Sequence, residues 1–403
     1  MEALRIYTEK PYQLRGEVTI SGAKNAVLPA IAASLLTAEE IRLSNVPLVK
    51  DVQTMLTLMK ELGAEHETRK KSLRIKTEKI VSDQAPYQLV RAMRASILVL
   101  GPLLARKGKA VVALPGGCAI GTRPVDLHIN GLQKLGASIS LEHGYIVAEA
   151  RKLKGTEFEF EKKTVTGTEN LVMAATLARG ETVLKNCALE PEVSSLCQLL
   201  VKMGARIEGI GEETLRITGV EELGPAEHRI IPDRIEAGTF MVAAALTGGD
   251  LLLKEVEPAH LEALTDKLII SGARVEKAGR RALRVTGSQE IKPQDVTTAP
   301  YPGFPTDLQP QITALLSVAN GSSVITDNVF GSRFRYVDEL IRMGAVIRVE
   351  SRSAIVKGVP FLSGAMVSAP DLRAGAALVI AGLAANGNTQ IEGLHYLERG
   401  YEN

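Results

Sequence analysis

The stretch LPGGCAIGTRPVDLHI, residues 114–129, contains the side chains of this chain that are best suited to chemistry. Cys118 lies among three glycines, and Arg123 follows it five residues later. A cysteine reacts as the thiolate, which nearby positive charge stabilises, and glycines leave backbone amides open to a ligand. An inert cysteine in a tight turn is the alternative. The stretch predicts a mobile loop with a reactive thiol, on which Pro124 and Leu127 offer an apolar surface to a flat ring.

Positive side chains suited to binding an anion occur in several further stretches. Lys24 and Asn25, in SGAKNAVLP, open a predicted buried helix whose N-terminus favours anions. A lysine that extends to the solvent is the alternative reading of Lys24. Single arginines occur near predicted strand ends or helix starts, at Arg94, Arg333, Arg373 and Arg399. If these ends converge on one cleft, the cations would surround a small, multiply charged anion.

A carboxylate with a distinctive approach occurs in APYPGFPTDLQPQ, residues 299–311. Asp307 follows three prolines and precedes a predicted helix. The stiff approach could hold this carboxylate as a general base, and an ordinary N-cap aspartate is the alternative. No Walker A, H-E-x-x-H or G-x-S-x-G sequence occurs in the chain, so the chemistries that those motifs carry find less support.

Composition excludes several classes of function. The 403 residues carry 48 Lys and Arg against 46 Asp and Glu, a net charge of +2, which gives no electrostatic basis for binding nucleic acid or a membrane. The three cysteines form no C-x-x-C pair, so neither a disulfide framework nor a zinc site is expected. The charged N-terminus does not resemble a signal peptide, and no apolar run is long enough to span a membrane. We therefore expect a cytoplasmic protein.

A repeated unit must position these residues. A helical stretch that ends in Gly-Ala and continues into an apolar alternation occurs five times, with the alanines 68 to 73 residues apart, at Ala64, Ala137, Ala205, Ala273 and Ala345. Six Ala- and Leu-rich helices, each followed by a polar turn and a strand, alternate with these motifs. The pattern predicts an α/β fold of six units of about 70 residues, with buried helices and sheets outside. A continuous solenoid is the alternative.

The six units divide into two domains of three. We expect one domain at residues 24–231, carrying the Cys118 loop. The second should combine residues 1–23 with residues 232–403, so that an N-terminal strand at residues 4–20 closes it. A sixth Gly-Ala motif would fall beyond Asn403, so the last repeat is expected to be truncated.

Four motifs together carry a family resemblance. SGAKNAVLPAIAASLL, LPGGCAIGTRPVDLHI, FPTDLQPQ and DLRAGAALVIAGL, in that order, resemble the UDP-N-acetylglucosamine 1-carboxyvinyltransferase family of enolpyruvyl transferases, and the likeness runs over residues 6–401. The resemblance implies two inside-out, barrel-like α/β domains of three repeats each. It also implies transfer of the enolpyruvyl group of phosphoenolpyruvate to the 3-hydroxyl of UDP-N-acetylglucosamine, which begins peptidoglycan precursor synthesis. No cofactor and no metal are implied. The closing helix that the family has after RGYEN is missing.

Roles for individual residues also follow from the resemblance. Cys118 is implied to be the proton donor, to form a covalent adduct with phosphoenolpyruvate and to be the target of fosfomycin, and Asp307 is implied to be the base at the sugar 3-hydroxyl. Lys24 is implied to be catalytic as well. Binding of phosphoenolpyruvate is implied for Lys24, Asn25, Arg123, Arg333, Arg373 and Arg399. Binding of the UDP-sugar is implied for Arg94, Arg123, Pro124, Val125, Asp126, Leu127, Asp307 and Val329.

Two other functions stay open at this point. The sister enolpyruvyl transferase acting on shikimate 3-phosphate shares the fold and the cationic cage, although the Cys118 loop favours the nucleotide sugar. An inactive UDP-sugar-binding paralogue is the other alternative, and the presence of both Cys118 and Asp307 argues against it. The partners expected are the two small-molecule substrates, with no nucleic acid and no membrane, in a monomer or a weak homo-oligomer.

Overall fold

A computed structural model describes residues 3–9, 12–114, 125–331 and 333–402 of the chain. The contacts divide the described residues into two compact units. Unit N contains residues 22–114 and 125–231, and unit C contains residues 3–9, 12–21, 232–331 and 333–402. Each unit has its own apolar core.

The strands of the described residues are, in chain order, β1 Leu4–Thr8, β2 Arg15–Thr19, β3 Glu40–Ser44, β4 Glu65–Arg69, β5 Ser72–Lys76, β6 Gln84–Ala85, β7 Lys109–Ala113, β8 Ser138–Glu142, β9 Tyr145–Glu149, β10 Glu157–Glu159, β11 Glu181–Lys185, β12 Arg206–Glu208, β13 Leu215–Thr218, β14 Ala226–Arg229, β15 Asp250–Lys254, β16 Arg274–Gly279, β17 Ala282–Thr286, β18 Val296–Thr298, β19 Ser322–Asp327, β20 Val346–Glu350, β21 Ser353–Lys357, β22 Leu362–Ser363, β23 Met366–Ser368 and β24 Ala385–Glu392.

The α-helices are α1 Lys24–Ala33, α2 Lys50–Glu61, α3 Tyr87–Ala92, α4 Leu100–Lys107, α5 Asp126–Lys134, α6 Val165–Ala175, α7 Pro191–Lys202, α8 Arg234–Leu246, α9 Glu262–Ile270, α10 Gln309–Leu316, α11 Val337–Arg342, α12 Leu372–Ala384 and α13 Leu394–Leu397. Short 3₁₀ helices span Ser34–Leu36, Arg94–Val99, Pro258–Leu261 and Thr306–Leu308.

These strands form six four-stranded sheets within the described residues, three in each unit. The orders in unit N are β14-β3-β5-β4, β6-β7-β9-β8 and β10-β11-β13-β12. In unit C they are β16-β17-β15-β2, β18-β19-β21-β20 and β1-β24-β22, where β23 also pairs with β24. In five of the sheets, three successive neighbours pair antiparallel and the fourth strand, at one edge, runs parallel to its neighbour. In the sixth, β1 runs antiparallel to β24.

The helices form the interior of each unit and the sheets form its surface, as the sequence predicts. Most side chains of α1 and α12 are buried. Strands such as β5 alternate instead: Leu73 and Ile75 point to the core while the other three side chains are exposed. The prediction of an inside-out α/β fold is confirmed.

The Gly-Ala motifs end helices as expected, because each glycine has a left-handed backbone with φ between +89° and +108°. These glycines are Gly63, Gly136, Gly204, Gly272 and Gly344.

The N-terminal segment differs from the prediction of one strand over residues 4–20. It forms two strands that join different sheets of unit C: β1 pairs with β24, and β2 runs parallel to β15. The Thr8 hydroxyl donates to the Ala385 carbonyl, and the Tyr12 amide donates to the Leu383 carbonyl at 2.9 Å. Because β1 and β2 belong to different sheets, a single continuous strand is not possible.

Candidate functional site

The carboxylate of Asp307 lies between two buried arginines of unit C. Its Oδ1 is 3.0 Å from Nη2 of Arg333, and its Oδ2 is 2.9 Å from Nη2 and 3.1 Å from Nε of Arg373. The two arginine side chains are 1% and 4% exposed, whereas that of Asp307 is 27% exposed. The N-cap of the 3₁₀ helix that holds Asp307 is Pro305. The alternative reading of Asp307 as an N-cap is therefore wrong, and the structure brings together three residues that the sequence singled out separately.

Arg333 keeps hydrogen-bonding capacity for something other than Asp307. Among the described residues, its buried Nε and Nη1 atoms have no hydrogen-bond partner. Burying such donors without an acceptor is costly, so this guanidinium is suited to receive an anionic ligand while Nη2 holds Asp307. The guanidinium also lies over the Phe330 ring, 5.5 Å from its centroid.

Arg373 is held by a second set of contacts that the sequence did not indicate. Its Nη1 lies 3.4 Å from the hydroxyl oxygen of Tyr401, which is 2.8 Å from the Thr239 hydroxyl oxygen on α8. Burial disfavours the charged guanidinium, but the Asp307 carboxylate, together with Tyr401 and Asp233, outweighs this effect and raises the pKa of Arg373. Asp371 caps α12 by accepting the amides of Arg373 and Ala374. Arg373 is therefore a permanent, preorganised cation.

Two other predicted residues of unit C occupy more open positions. Val329 is 37% exposed in the loop after β19, and its amide donates to Asp327 at 2.9 Å. Arg399 is half-buried just after α13, and its amide donates to the Tyr396 carbonyl at 3.3 Å. Their proposed ligand contacts stay predictions.

In unit N, Lys24 and Asn25 form the first turn of α1, as predicted. Nζ of Lys24 is 3.1 Å from Oδ2 of Asp51, which lies in the first turn of α2. The two side chains are 13% and 4% exposed, so Lys24 does not extend into the solvent. Asp51, a partner that the sequence did not indicate, holds the ammonium group in place.

The residues predicted to bind the nucleotide sugar are only partly described. Asp126 is the exposed first residue of α5, and Val125 and Leu127 are half-buried against the core of unit N. Arg94 is half-buried and opens a 3₁₀ helix. Three of the predicted site residues, Cys118, Arg123 and Pro124, lie outside the described part of the chain.

A buried polar network links α4, α5 and α6 behind these residues. The amide of Gly101 donates to Oδ1 of Asn170 at 2.6 Å, and Nδ2 of Asn170 donates to the Ile97 carbonyl at 3.0 Å. These bonds fix the orientation of the Asn170 amide, so its second N–H points to Nδ1 of His128, 3.0 Å away. Nδ1 must then accept, and Nε2 carries the proton toward the Thr166 hydroxyl at 3.3 Å.

His128 stays neutral in this network. Burial, aided by the charge of Arg94, lowers the pKa of His128 from 6.5 to about 4. A neutral ring keeps Nδ1 available to Asn170. The network therefore holds α5, with Val125 to Leu127 at its start, against α6.

We expect the buried His128 to make the free energy of unfolding fall as the pH is lowered. The unfolded chain protonates His128 below about pH 6.5, whereas the folded protein keeps it neutral to about pH 4. Acidification therefore favours unfolding, and from pH 7 to pH 5 this residue should lower the free energy of unfolding by about 2 kcal/mol. Urea titrations at pH 7 and pH 5 should show that the free energy of unfolding falls less in His128→Gln than in the wild type, by that amount. The exposed His66→Gln should keep the full drop, and an equal drop in both variants would contradict the assignment.

The described residues contain no group of His, Cys, Asp and Glu side chains arranged to hold a metal ion. Within the same part of the chain, every helix is too short or too polar to cross a bilayer.

Comparisons with known proteins agree with this architecture. A family model described as EPSP synthase (3-phosphoshikimate 1-carboxyvinyltransferase) matches residues 8–403. A UDP-N-acetylglucosamine 1-carboxyvinyltransferase of Koribacter versatilis is 56% identical over 393 residues, covering 96% of this chain and 90% of that protein. One of Anaeromyxobacter dehalogenans is 54% identical over 403 residues, covering 99% and 95%.

Solved structures share the fold at lower identity. The enolpyruvyl transferase NikO from Streptomyces tendae superposes with a TM-score of 0.89 at 24% identity, covering 99% of this chain and 94% of that chain. EPSP synthase from Acinetobacter baumannii superposes with a TM-score of 0.71 at 19% identity, covering 98% and 94%. The identities to the curated relatives confirm the resemblance predicted from the motifs. The chain belongs to the enolpyruvyl transferase family and, within it, to the UDP-N-acetylglucosamine 1-carboxyvinyltransferases.

Proposed function

We propose that the chain transfers the enolpyruvyl group of phosphoenolpyruvate to the 3-hydroxyl of UDP-N-acetylglucosamine and releases phosphate. The observation that carries the proposal is the Asp307 carboxylate held between two buried guanidinium groups. A base for the hydroxyl proton and fixed cations for an anionic reactant are then adjacent, as an addition to phosphoenolpyruvate requires.

The reaction runs in two steps with opposite proton transfers. In the addition, Asp307 takes the proton of the 3-hydroxyl, the sugar oxygen bonds to C2 of phosphoenolpyruvate, and C3 gains a proton. Cys118 is the donor predicted from the sequence. In the elimination, C3 loses a proton, the double bond to C2 re-forms, and the bond from C2 to the phosphate oxygen breaks. Neither step needs a redox group.

The cations act on the charge that these steps move. Arg333 offers Nε and Nη1, and Arg373, whose pKa is raised, stays charged. Donors that are already in place stabilise developing charge without reorganising during the reaction. Lys24, fixed by Asp51, and Arg399 are proposed to bind phosphoenolpyruvate as well.

The proposal also includes where and for what purpose the reaction occurs. Both substrates are charged metabolites of the cytoplasm, so we place the activity there. Its product would be the first committed precursor of peptidoglycan.

Phosphate release with two acceptors tests the proposal. The purified chain is mixed with phosphoenolpyruvate and either UDP-N-acetylglucosamine or shikimate 3-phosphate, and the product mass is measured. We expect release and an enolpyruvyl adduct with the UDP-sugar alone. Release with shikimate 3-phosphate alone would assign the sister activity, for which the matching family model is named. Binding of the UDP-sugar without release from either mixture would indicate an inactive paralogue.

A further inference from the structure

The side chain of Asp327, the last residue of β19, joins two loops that carry candidate site residues. It is fully buried. Its Oδ2 accepts the Thr306 hydroxyl at 2.7 Å, and its Oδ1 accepts the Thr298 hydroxyl at 3.0 Å. Oδ1 also accepts the amides of Val329 and Phe330 at 2.9 and 2.8 Å.

The residues bound by Asp327 are the direct neighbours of the candidate site. Thr306 precedes Asp307 in the same 3₁₀ helix, and Val329 is predicted to contact the nucleotide sugar. Phe330 lies under the guanidinium of Arg333. We propose that Asp327 is a positioning residue that sets where the Asp307 carboxylate lies relative to the loop at residues 328–331. The inference rests on the proposed function, because it assigns Asp307 the role of base.

The topology explains why one side chain can do this. β18 and β19 are parallel, and Thr298 pairs with Asp327 at their ends. The segments that leave parallel strands start at the same edge of the sheet, where ligands often bind in α/β folds. The loops after β18 and β19 therefore start side by side, and the Asp327 carboxylate lies between them.

Two of the four bonds are local and two are not. The bonds to the amides of Val329 and Phe330 span two and three residues, as in an ordinary aspartate turn. The bonds to Thr306 and Thr298 span 21 and 29 residues. A turn alone needs neither of the long-range bonds. The bond to Thr306 is the one that reaches the segment holding Asp307.

The test compares substitutions of the two threonines in the full chain. Thr306→Val keeps the shape of the side chain and removes the bond beside Asp307, so Asp307 should be misplaced relative to the sugar hydroxyl. We expect kcat for phosphate release to fall about tenfold, since small misplacements of catalytic groups are costly. The KM for the UDP-sugar should stay within about twofold. Thr306→Ser retains the hydroxyl and should retain kcat.

Thr298→Val is the control on the β18 side. It removes a bond to the same carboxylate and the bond that the Thr298 hydroxyl accepts from the Asn328 amide at 3.2 Å, but it leaves the bond to Thr306 in place. Its kcat should stay within about twofold of the wild type. An unchanged kcat in Thr306→Val, or an equal loss of kcat in both valine variants, would show that Asp327 only shapes the fold, and would overturn the inference while leaving the proposed function intact. A wild type that releases no phosphate would remove the proposed function, and this inference with it.

Discussion

Asp307→Asn is expected to lower kcat for phosphate release by about a thousandfold, within the range typical of a lost general base. Asparagine has the same shape but cannot take the proton of the sugar hydroxyl. The same change removes the negative charge that occupies Nη2 of Arg333 and both Nε and Nη2 of Arg373. These donors then become available to phosphoenolpyruvate. Its affinity, measured by calorimetry, should therefore be unchanged or tighter even though turnover is nearly lost.

The pair of measurements separates a base from a binding residue. If Asp307 mainly bound substrate, its loss would weaken affinity and spare kcat. Asp338→Asn, at an exposed position of α11, should leave both quantities unchanged. A loss of kcat below tenfold in Asp307→Asn, or a clear weakening of phosphoenolpyruvate binding, would contradict the proposed role.

The repeats and the inside-out fold could be predicted from the sequence because both depend on local patterns. Helix ends are fixed by glycines with positive φ, such as Gly204 and Gly344. Buried helices are recognisable as apolar nearly all round, as α12 is. The two strands at the N-terminus could not be separated, because partners such as β24 and β15 lie more than 200 residues away in the sequence.

The sequence singled out Asp307, Arg333 and Arg373 one by one, but it could not predict that they pair. Asp307 is 26 residues from Arg333 and 66 from Arg373, and nothing local to FPTDLQPQ distinguishes an N-cap from an ion pair. Asn170 and Tyr401 were missed for the same reason. A weak signal for Asn170 did exist, since a polar residue in an apolar helix such as α6 must find hydrogen-bond partners once it is buried.

Fosfomycin, an epoxide phosphonate that resembles phosphoenolpyruvate, is expected to label Cys118 and neither of the other cysteines. The thiolate would open the epoxide, forming a carbon–sulfur bond as the carbon–oxygen bond breaks. Cys187 and Cys197 are fully buried, and burial raises the pKa of each to about 12. Their thiolate fraction near neutral pH is then smaller than that of an ordinary cysteine by a factor on the order of a thousand. Mass mapping should place all of the label on Cys118, and Cys118→Ser should abolish it.

The same residue separates proton donation from sulfur chemistry. Cys118→Asp keeps a group that can donate a proton to C3 of phosphoenolpyruvate, but a carboxylate is a far weaker nucleophile toward the epoxide than a thiolate. That variant should therefore resist fosfomycin while it still releases phosphate from phosphoenolpyruvate and UDP-N-acetylglucosamine. A Cys118→Asp variant without activity would show that the sulfur itself is required. A buried thiol with a pKa of about 12 reacts only when its surroundings open. Label on Cys187 or Cys197 would therefore mean that the reactive thiol was wrongly assigned.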